Sequence, residues 1–277
     1  MNATTSEQLV IAQYQATPAP LDKAATLARL AEQAAQAEHW GVQLLVLPEM
    51  YMTGYNVTPT ELNAIAETSD GALFEAIATL CQQHQLSVFY GYAERSGEST
   101  FYNSAQLIDS QGNSVLNYRK THLWGDLDRN LFCPGDTLSP VVTLNGWRVG
   151  AAICYDLEFP ETLRHLALSG AELVIVPTGL MSPWSEVADQ VVPVRAYENR
   201  LFVAYTNYCG VERDLTYVGH SCIADPNGLV VASAESEPVL LTATLDRSVL
   251  TNARASLPYL TERRPELYSA LTQKVSS

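Results

Sequence analysis

The chain has 277 residues, of which 47% are hydrophobic and only 17% charged; that is enough apolar material to fill a core and too little charge for a disordered chain. Its 16 Lys and Arg face 30 Asp and Glu, a formal net charge of −14, which excludes a general affinity for nucleic-acid backbone, since phosphate binding needs a basic surface. Alternation predicts a first strand at 9–15, and Ala- and Leu-rich helical spacing predicts a long helix over 21–40. Residues 43–48 are a short apolar run stopped by Pro48, the pattern of a buried strand. A second helix is expected at 71–85, then strands at 86–92, 105–109 and 114–118. Another apolar strand runs from 147 to 153 and ends at Cys154. A helix follows at 160–169, with Pro160 and Glu161 suited to its first turn. A strand at 172–177, a helix at 185–199 and a strand at 201–207 complete the middle of the chain. Strands then cluster at 217–224, 229–234 and 239–246, with Asp225-Pro226-Asn227-Gly228 supplying a hairpin turn. One sheet cannot easily take so many strands; two sheets with helices outside each can.

The chain carries no low-complexity tract, repeat or Gly/Ser linker, so one domain is expected over residues 1–277, with a core at about 8–246 and a C-terminal extension at about 247–277. Its first residues show no basic region leading into an apolar stretch, so no secretory signal is expected. No apolar run approaches the roughly 18 residues of a membrane helix. The cysteines at 81, 133, 154, 209 and 222 are odd in number, scattered and without a CxxC pair, which fits neither a disulfide framework nor a zinc site. The expectation is a cytoplasmic protein with reduced thiols and no metal or cofactor.

Three residues stand where layered α/β folds build sites, at the ends of strands. Glu49 follows Leu47-Pro48, Lys120 follows the strand ending near Tyr118, and Cys154 lies between an apolar strand and a helix. A thiol near a helix N-terminus and a lysine is expected to have a lowered pKa. Spacing alone leaves a bland reading open for each: a packing cysteine, a solvated turn lysine, a loop-capping glutamate.

Longer words decide between these. Leu45-Val46-Leu47-Pro48-Glu49-Met50, Tyr118-Arg119-Lys120-Thr121-His122-Leu123 and Ile153-Cys154-Tyr155-Asp156-Leu157-Glu158-Phe159-Pro160-Glu161 resemble the base, lysine and nucleophile motifs of the nitrilase-like carbon–nitrogen hydrolases. Tyr102-Asn103-Ser104-Ala105, Arg195-Ala196-Tyr197-Glu198-Asn199, Gly219-His220-Ser221 with Asp225-Pro226-Asn227-Gly228, and Arg264-Pro265-Glu266 match in the same order. The resemblance spans nearly the whole chain. It implies an α/β fold, a four-layer α-β-β-α sandwich, often dimeric through its helical faces, with Glu49, Lys120 and Cys154 catalytic. Relatives often place a second glutamate eight residues after the lysine; this chain has Asp128 there, shorter by one methylene. Asp128 is read either as an auxiliary acid or as a loop residue.

The implied chemistry is amide hydrolysis through a thioester, which splits a slow reaction into two easier steps. Cys154 attacks the carbonyl. Glu49, with a pKa raised by burial, moves the proton and later activates water. Lys120 and the Tyr155 N–H stabilise the oxyanion. A Cys–His scheme using His122, His165 or His220 is the competing assignment. Cys154-Tyr155-Asp156 looks like amidase-type members, whereas N-carbamoyl-amine and nitrile hydrolases are the alternatives. A decayed binding module is the non-enzyme reading. Tyr51, Tyr55, Trp124 and Trp184 are candidates for an apolar pocket, with Tyr155 and Glu158 beside the nucleophile. Glu158 stands where many relatives carry a basic residue and is expected to disfavour anionic substrates. The partners expected are a small-molecule amide and a second copy of the chain, with neither nucleic acid nor membrane.

Overall fold

In a strand, successive side chains enter opposite faces, so a strand buried on both faces is apolar throughout. That rule organises this protein, whose computed structural model describes residues 7–274. Strand β1 (Gln8–Gln15) leads to α1 (Lys23–His39), capped by Asp22 accepting from the Ala25 N–H, and on to β2 (Leu44–Val46). A short helix, α2 (Pro59–Ile65), closed by a Thr58–Glu61 capping box, precedes α3 (Ala72–His84). The meander β3 (Ser87–Arg95), β4 (Phe101–Ile108) and β5 (Ser114–Arg119) follows. A single turn, α4 (Gly125–Arg129), then leads to β6 (Val142–Leu144) and β7 (Trp147–Ala151). A 3-10 turn at Cys154–Glu158 runs into α5 (Pro160–Leu168), followed by β8 (Leu173–Pro177). A π-helical turn at Val187–Val191 opens α6 (Val192–Asn199). The remaining strands are β9 (Phe202–Thr206), β10 (Cys209–Glu212), β11 (Leu215–Val218), β12 (Cys222–Ala224), β13 (Val230–Ser233) and β14 (Val239–Asp246), and α7 (Arg247–Ser256) follows them.

One six-stranded sheet has the order β14-β1-β2-β3-β4-β5 and the other β13-β12-β9-β8-β7-β6, with β10-β11 a separate hairpin. The central pairs are parallel: β1 with β2, β2 with β3, β7 with β8, and β8 with β9. Leu9, Ile11, Leu44, Val46 and Phe89 of the first sheet share one core with Trp147, Val149, Leu173, Ile175 and Phe202 of the second. The intervening residues turn the other way. Ala12, Leu45 and Val88 meet Leu30 and Ala34 of α1 and Ile77 of α3, whereas Val174, Val176 and Val203 meet Leu163 and Leu166 of α5 and Ala196 of α6. Helix, sheet, sheet and helix therefore form the four expected layers.

The elements α2, α4, β6, β10 and α7 have no counterpart among those expected from the sequence, and two of the expected strands differ. The run 217–224 is two strands, because Gly219 and His220 both adopt positive φ (76° and 57°) and turn the chain. Its first half pairs with β10 and its second joins the second sheet. The strand expected from 105 starts at Phe101, where Arg95 pairs with it, so the polar segment Tyr102-Asn103-Ser104 lies inside the sheet.

Candidate active site

Glu49, Lys120 and Cys154 converge where β2, β5 and β7 end. Leu47 still donates to Phe89 O, Pro48 ends the ladder, and the Glu49 N–H reaches across to Thr178 O (3.4 Å), beyond β8 of the other sheet. Met50 turns the chain with φ 55°. This loop lies directly on Gly91: a Cβ there would stand 2.4 Å from Met50 N and 2.8 Å from Glu49 Cα. Lys120 is held by its backbone, donating to Asn103 O and accepting from the Gly135 N–H, each at 2.8 Å. Cys154 opens the 3-10 turn with φ 46°. Such a conformation is strained for a side chain other than glycine and persists only where the surroundings enforce it.

The side chains form one buried network. Lys120 Nζ donates to Glu49 Oε1 (2.7 Å) and to Asp128 Oδ2 (2.6 Å), with all three side chains fully enclosed. Asn103 Nδ2 donates to the same Glu49 oxygen at 2.7 Å, and the Trp124 N–H donates to Asp128 Oδ2 at 2.9 Å. Aspartate thus reaches the lysine despite its shorter stem. Glu49 Oε2 is buried without a partner and faces Gly179, where a Cβ would lie 3.3 Å away. An ammonium has three donors, so Lys120 retains one after serving its two carboxylates.

Burial raises the Glu49 pKa, against the pull of Lys120, whose charge Asp128 shares. Burial works against the Lys120 ammonium, but Glu49 and Asp128 outweigh it and hold its pKa well above the usual value. Burial, with the Glu49 charge added, pushes the Cys154 thiol up, although Lys120 and the Thr178 and Gly179 groups oppose this. The lowered thiol pKa expected from the sequence is therefore corrected: enclosure outweighs the helix end and the lysine.

Cys154 opens onto a cavity of about 240 Å³. All five residues expected to bind substrate line it: Tyr55, Trp124, Tyr155, Glu158 and Trp184. Tyr51 does not; its ring packs between Tyr14 and Tyr208. The histidines lie elsewhere. His122 Nδ1 meets Asp156 Oδ1 at 2.7 Å while its ring stacks on Phe159, His165 is exposed on α5, and His220 pairs with Asp189 at 2.9 Å.

The carbon–nitrogen hydrolase family model matches residues 10–255. The chain belongs to that family. Within it the chain groups with the amidase-like members of the nitrilase superfamily. It is 47% identical over 264 residues to a Pseudomonas protegens protein named "hydrolase in pqqF 5'region", covering 95% of this chain and 92% of that one. It is 39% identical over 231 residues to the (R)-stereoselective amidase of a Pseudomonas species, covering 83% and 82%. A double mutant of the amidase from Nesterenkonia sp. AN1, solved in complex with acrylamide, matches with a TM-score of 0.87 at 30% identity, covering 96% of this chain and 98% of that one. Another mutant of that amidase carries the acetamide moiety of fluoroacetamide at its active-site cysteine.

Three site residues of this hydrolase received no role from the sequence. Asn103 is the second donor to Glu49; its Tyr-Asn-Ser-Ala word, matched in order with the family's but given no role, was the available signal. Asp156 accepts from the Ile153 and His122 N–H groups, Thr121 Oγ1 and Tyr118 OH, all at 2.8–3.0 Å. It ties the lysine segment to the nucleophile turn. Glu212 accepts from the Tyr55 and Asn56 N–H groups and from Tyr217 OH, fixing the loop that carries Tyr55. Nothing local in the sequence announced that contact.

Proposed function

We propose that the enzyme cleaves a small primary carboxamide to acid and ammonia, with Cys154 as nucleophile, Glu49 as base and acid, Lys120 as oxyanion donor and Asp128 as the auxiliary carboxylate. The observation that carries this reading is the unpartnered, buried Glu49 Oε2 facing Gly179, beside the cysteine. A thiol with a raised pKa needs a base, and a carboxylate with a raised pKa is suited to take a proton and return it. Sulfur attacks the carbonyl carbon, and the thiol proton passes to Glu49. The remaining Lys120 donor faces the developing oxyanion together with the Tyr155 N–H, which lies in a first helical turn and so lacks an intrahelical acceptor. Collapse expels the nitrogen, which leaves as ammonia with the Glu49 proton. Glu49 then draws a proton from water, which attacks the thioester and releases the acid and the thiol.

The bound acetamide moiety at the active-site cysteine of the Nesterenkonia amidase supports the covalent step. Five unpaired cysteines support a reducing, cytoplasmic setting. Exposed Leu168 on α5 and Val194 and Tyr197 on α6 support self-association through that helical face, which sedimentation would read. No helix among the described residues is long and apolar enough to cross a membrane.

The test is ammonia release from a panel of amides, ureides, nitriles and esters, with intact mass reading the acyl adduct. Amides are turned over, C154A releases nothing, and E49Q loses about 10²–10⁴-fold in kcat. Thioester formation that survives E49Q but is lost in H122A or H220A transfers the base role to histidine. Release from ureides or nitriles alone replaces the amide reading.

A further inference from the structure

We propose that Glu158 determines specificity by receiving the ammonium of an amine-bearing carboxamide whose carbonyl lies at Cys154. This deepens the amidase reading and rests on it. Among the residues lining the cavity, Glu158 alone carries a full charge, and the rest of the wall is Tyr55, Trp124, Tyr155, Leu180, Met181, Trp184 and Val187 with Gly179 and the nucleophile. Its carboxylate is half-buried, and no donor among the described residues bonds it. Arg195 stands behind it with each of its three nitrogens bonded elsewhere: Nε to Leu157 O (2.9 Å), Nη2 to the Glu158 carbonyl (2.7 Å) and Nη1 to the Glu198 carboxylate (3.0 Å). Deeper in the site two carboxylates, Glu49 and Asp128, surround the single Lys120 ammonium, so no surplus cation is left there to draw an anionic substrate.

A half-buried carboxylate in an aromatic wall is a receptor for a cation. The aromatic faces attract an ammonium, and a charge-assisted hydrogen bond supplies direction. Glu158 ends the same 3-10 turn that Cys154 begins. At about 2.0 Å rise per residue the two Cα atoms are separated by about 8 Å along the axis. A short aliphatic spacer between amide and amine bridges them.

The experiment compares kcat/KM for 4-aminobutanamide, the near-isosteric neutral pentanamide, and the anionic succinamate. The expected order is aminobutanamide, pentanamide, succinamate, with about tenfold or more between the first two, carried mainly in KM. E158Q brings the first two to near equality, E158D retains part of the preference, and E158K favours succinamate. Melting curves confirm that each variant folds. Calorimetric binding of the same compounds to C154A should follow the same order, independently of turnover. Failure to hydrolyse any amide, with C154A still binding in that order, rejects the amidase reading and keeps the recognition. A wild-type ratio near one, or an E158Q variant that keeps the wild-type ratio, overturns the assignment.

Discussion

At the scale of single residues, the thiol and the carboxylate are matched to each other. An enclosed Cys154 holds its proton at neutral pH, so in the proposed mechanism the nucleophile forms only as Glu49 accepts that proton. The ionised carboxylate is then the active form. Its folded pKa lies above the ordinary value because burial disfavours the charge. Activity should therefore fall as pH drops through a midpoint above about 4.3, the usual glutamate value. A kcat/KM profile checks this, and a midpoint at or below 4.3 contradicts it. Asn103 tunes the same group by donating to Oε1. N103A removes a donor that favours the charged carboxylate, so it should move the acid midpoint upward and leave the alkaline side in place.

Elements succeed or fail here through contacts between them. Both faces of β2, β8 and β9 are covered, so these strands are nearly continuous apolar runs and were legible as such, whereas β7 breaks its run only at the exposed Arg148. The three motif words were legible because each sits at a strand end beside its own run. Asp156 and Glu212 were not, since their value lies in bonds to segments about 35 and 157 residues away, and no period in the sequence encodes those. The split of 217–224 was hidden for a similar reason: Tyr217 and Cys222 are both buried, but in different neighbourhoods. Gly91 also looked like an ordinary strand residue. G91A would drive a Cβ into the Met50 and Glu49 backbone, which cannot yield as a flexible side chain does. The Glu49 loop must shift, and an error of about 1 Å in the proposed base costs on the order of 100-fold. Steady-state kinetics should show that loss in kcat/KM, with a lowered melting temperature. D156N should loosen the lysine segment from the nucleophile turn. Breaking a buried, charged hub of this kind costs about 3–5 kcal/mol, read by denaturant unfolding.

For the whole molecule, carboxylates set the pH dependence of stability in two opposed directions. Asp156 is buried, which alone would raise its pKa, but bonds from His122 and Ile153 and the Lys120 charge outweigh that and lower it. Glu94 behaves alike under Arg119, Ser104 and Asn117. Their stabilisation is present above the unfolded-state value near 3.9–4.3 and disappears as pH falls through the lowered folded values. Glu49 works the other way. Because its folded pKa is raised, the folded state binds more protons than the unfolded chain between the two values, and stability falls as pH climbs through that window. Above it the enzyme carries the full cost of an enclosed charge that the proposed mechanism requires. Glutamine imitates the protonated form, and Asp128 remains to balance Lys120. E49Q should thus abolish most activity yet melt higher than wild type at pH 7, by about 2–4 °C for each kcal/mol relieved. The gap should close as the pH is lowered toward the ordinary carboxylate range. Melting curves of both proteins from pH 5 to 8 decide it: a variant that melts below wild type at pH 7 would show that the Glu49–Lys120 contact stabilises the fold by more than its burial costs.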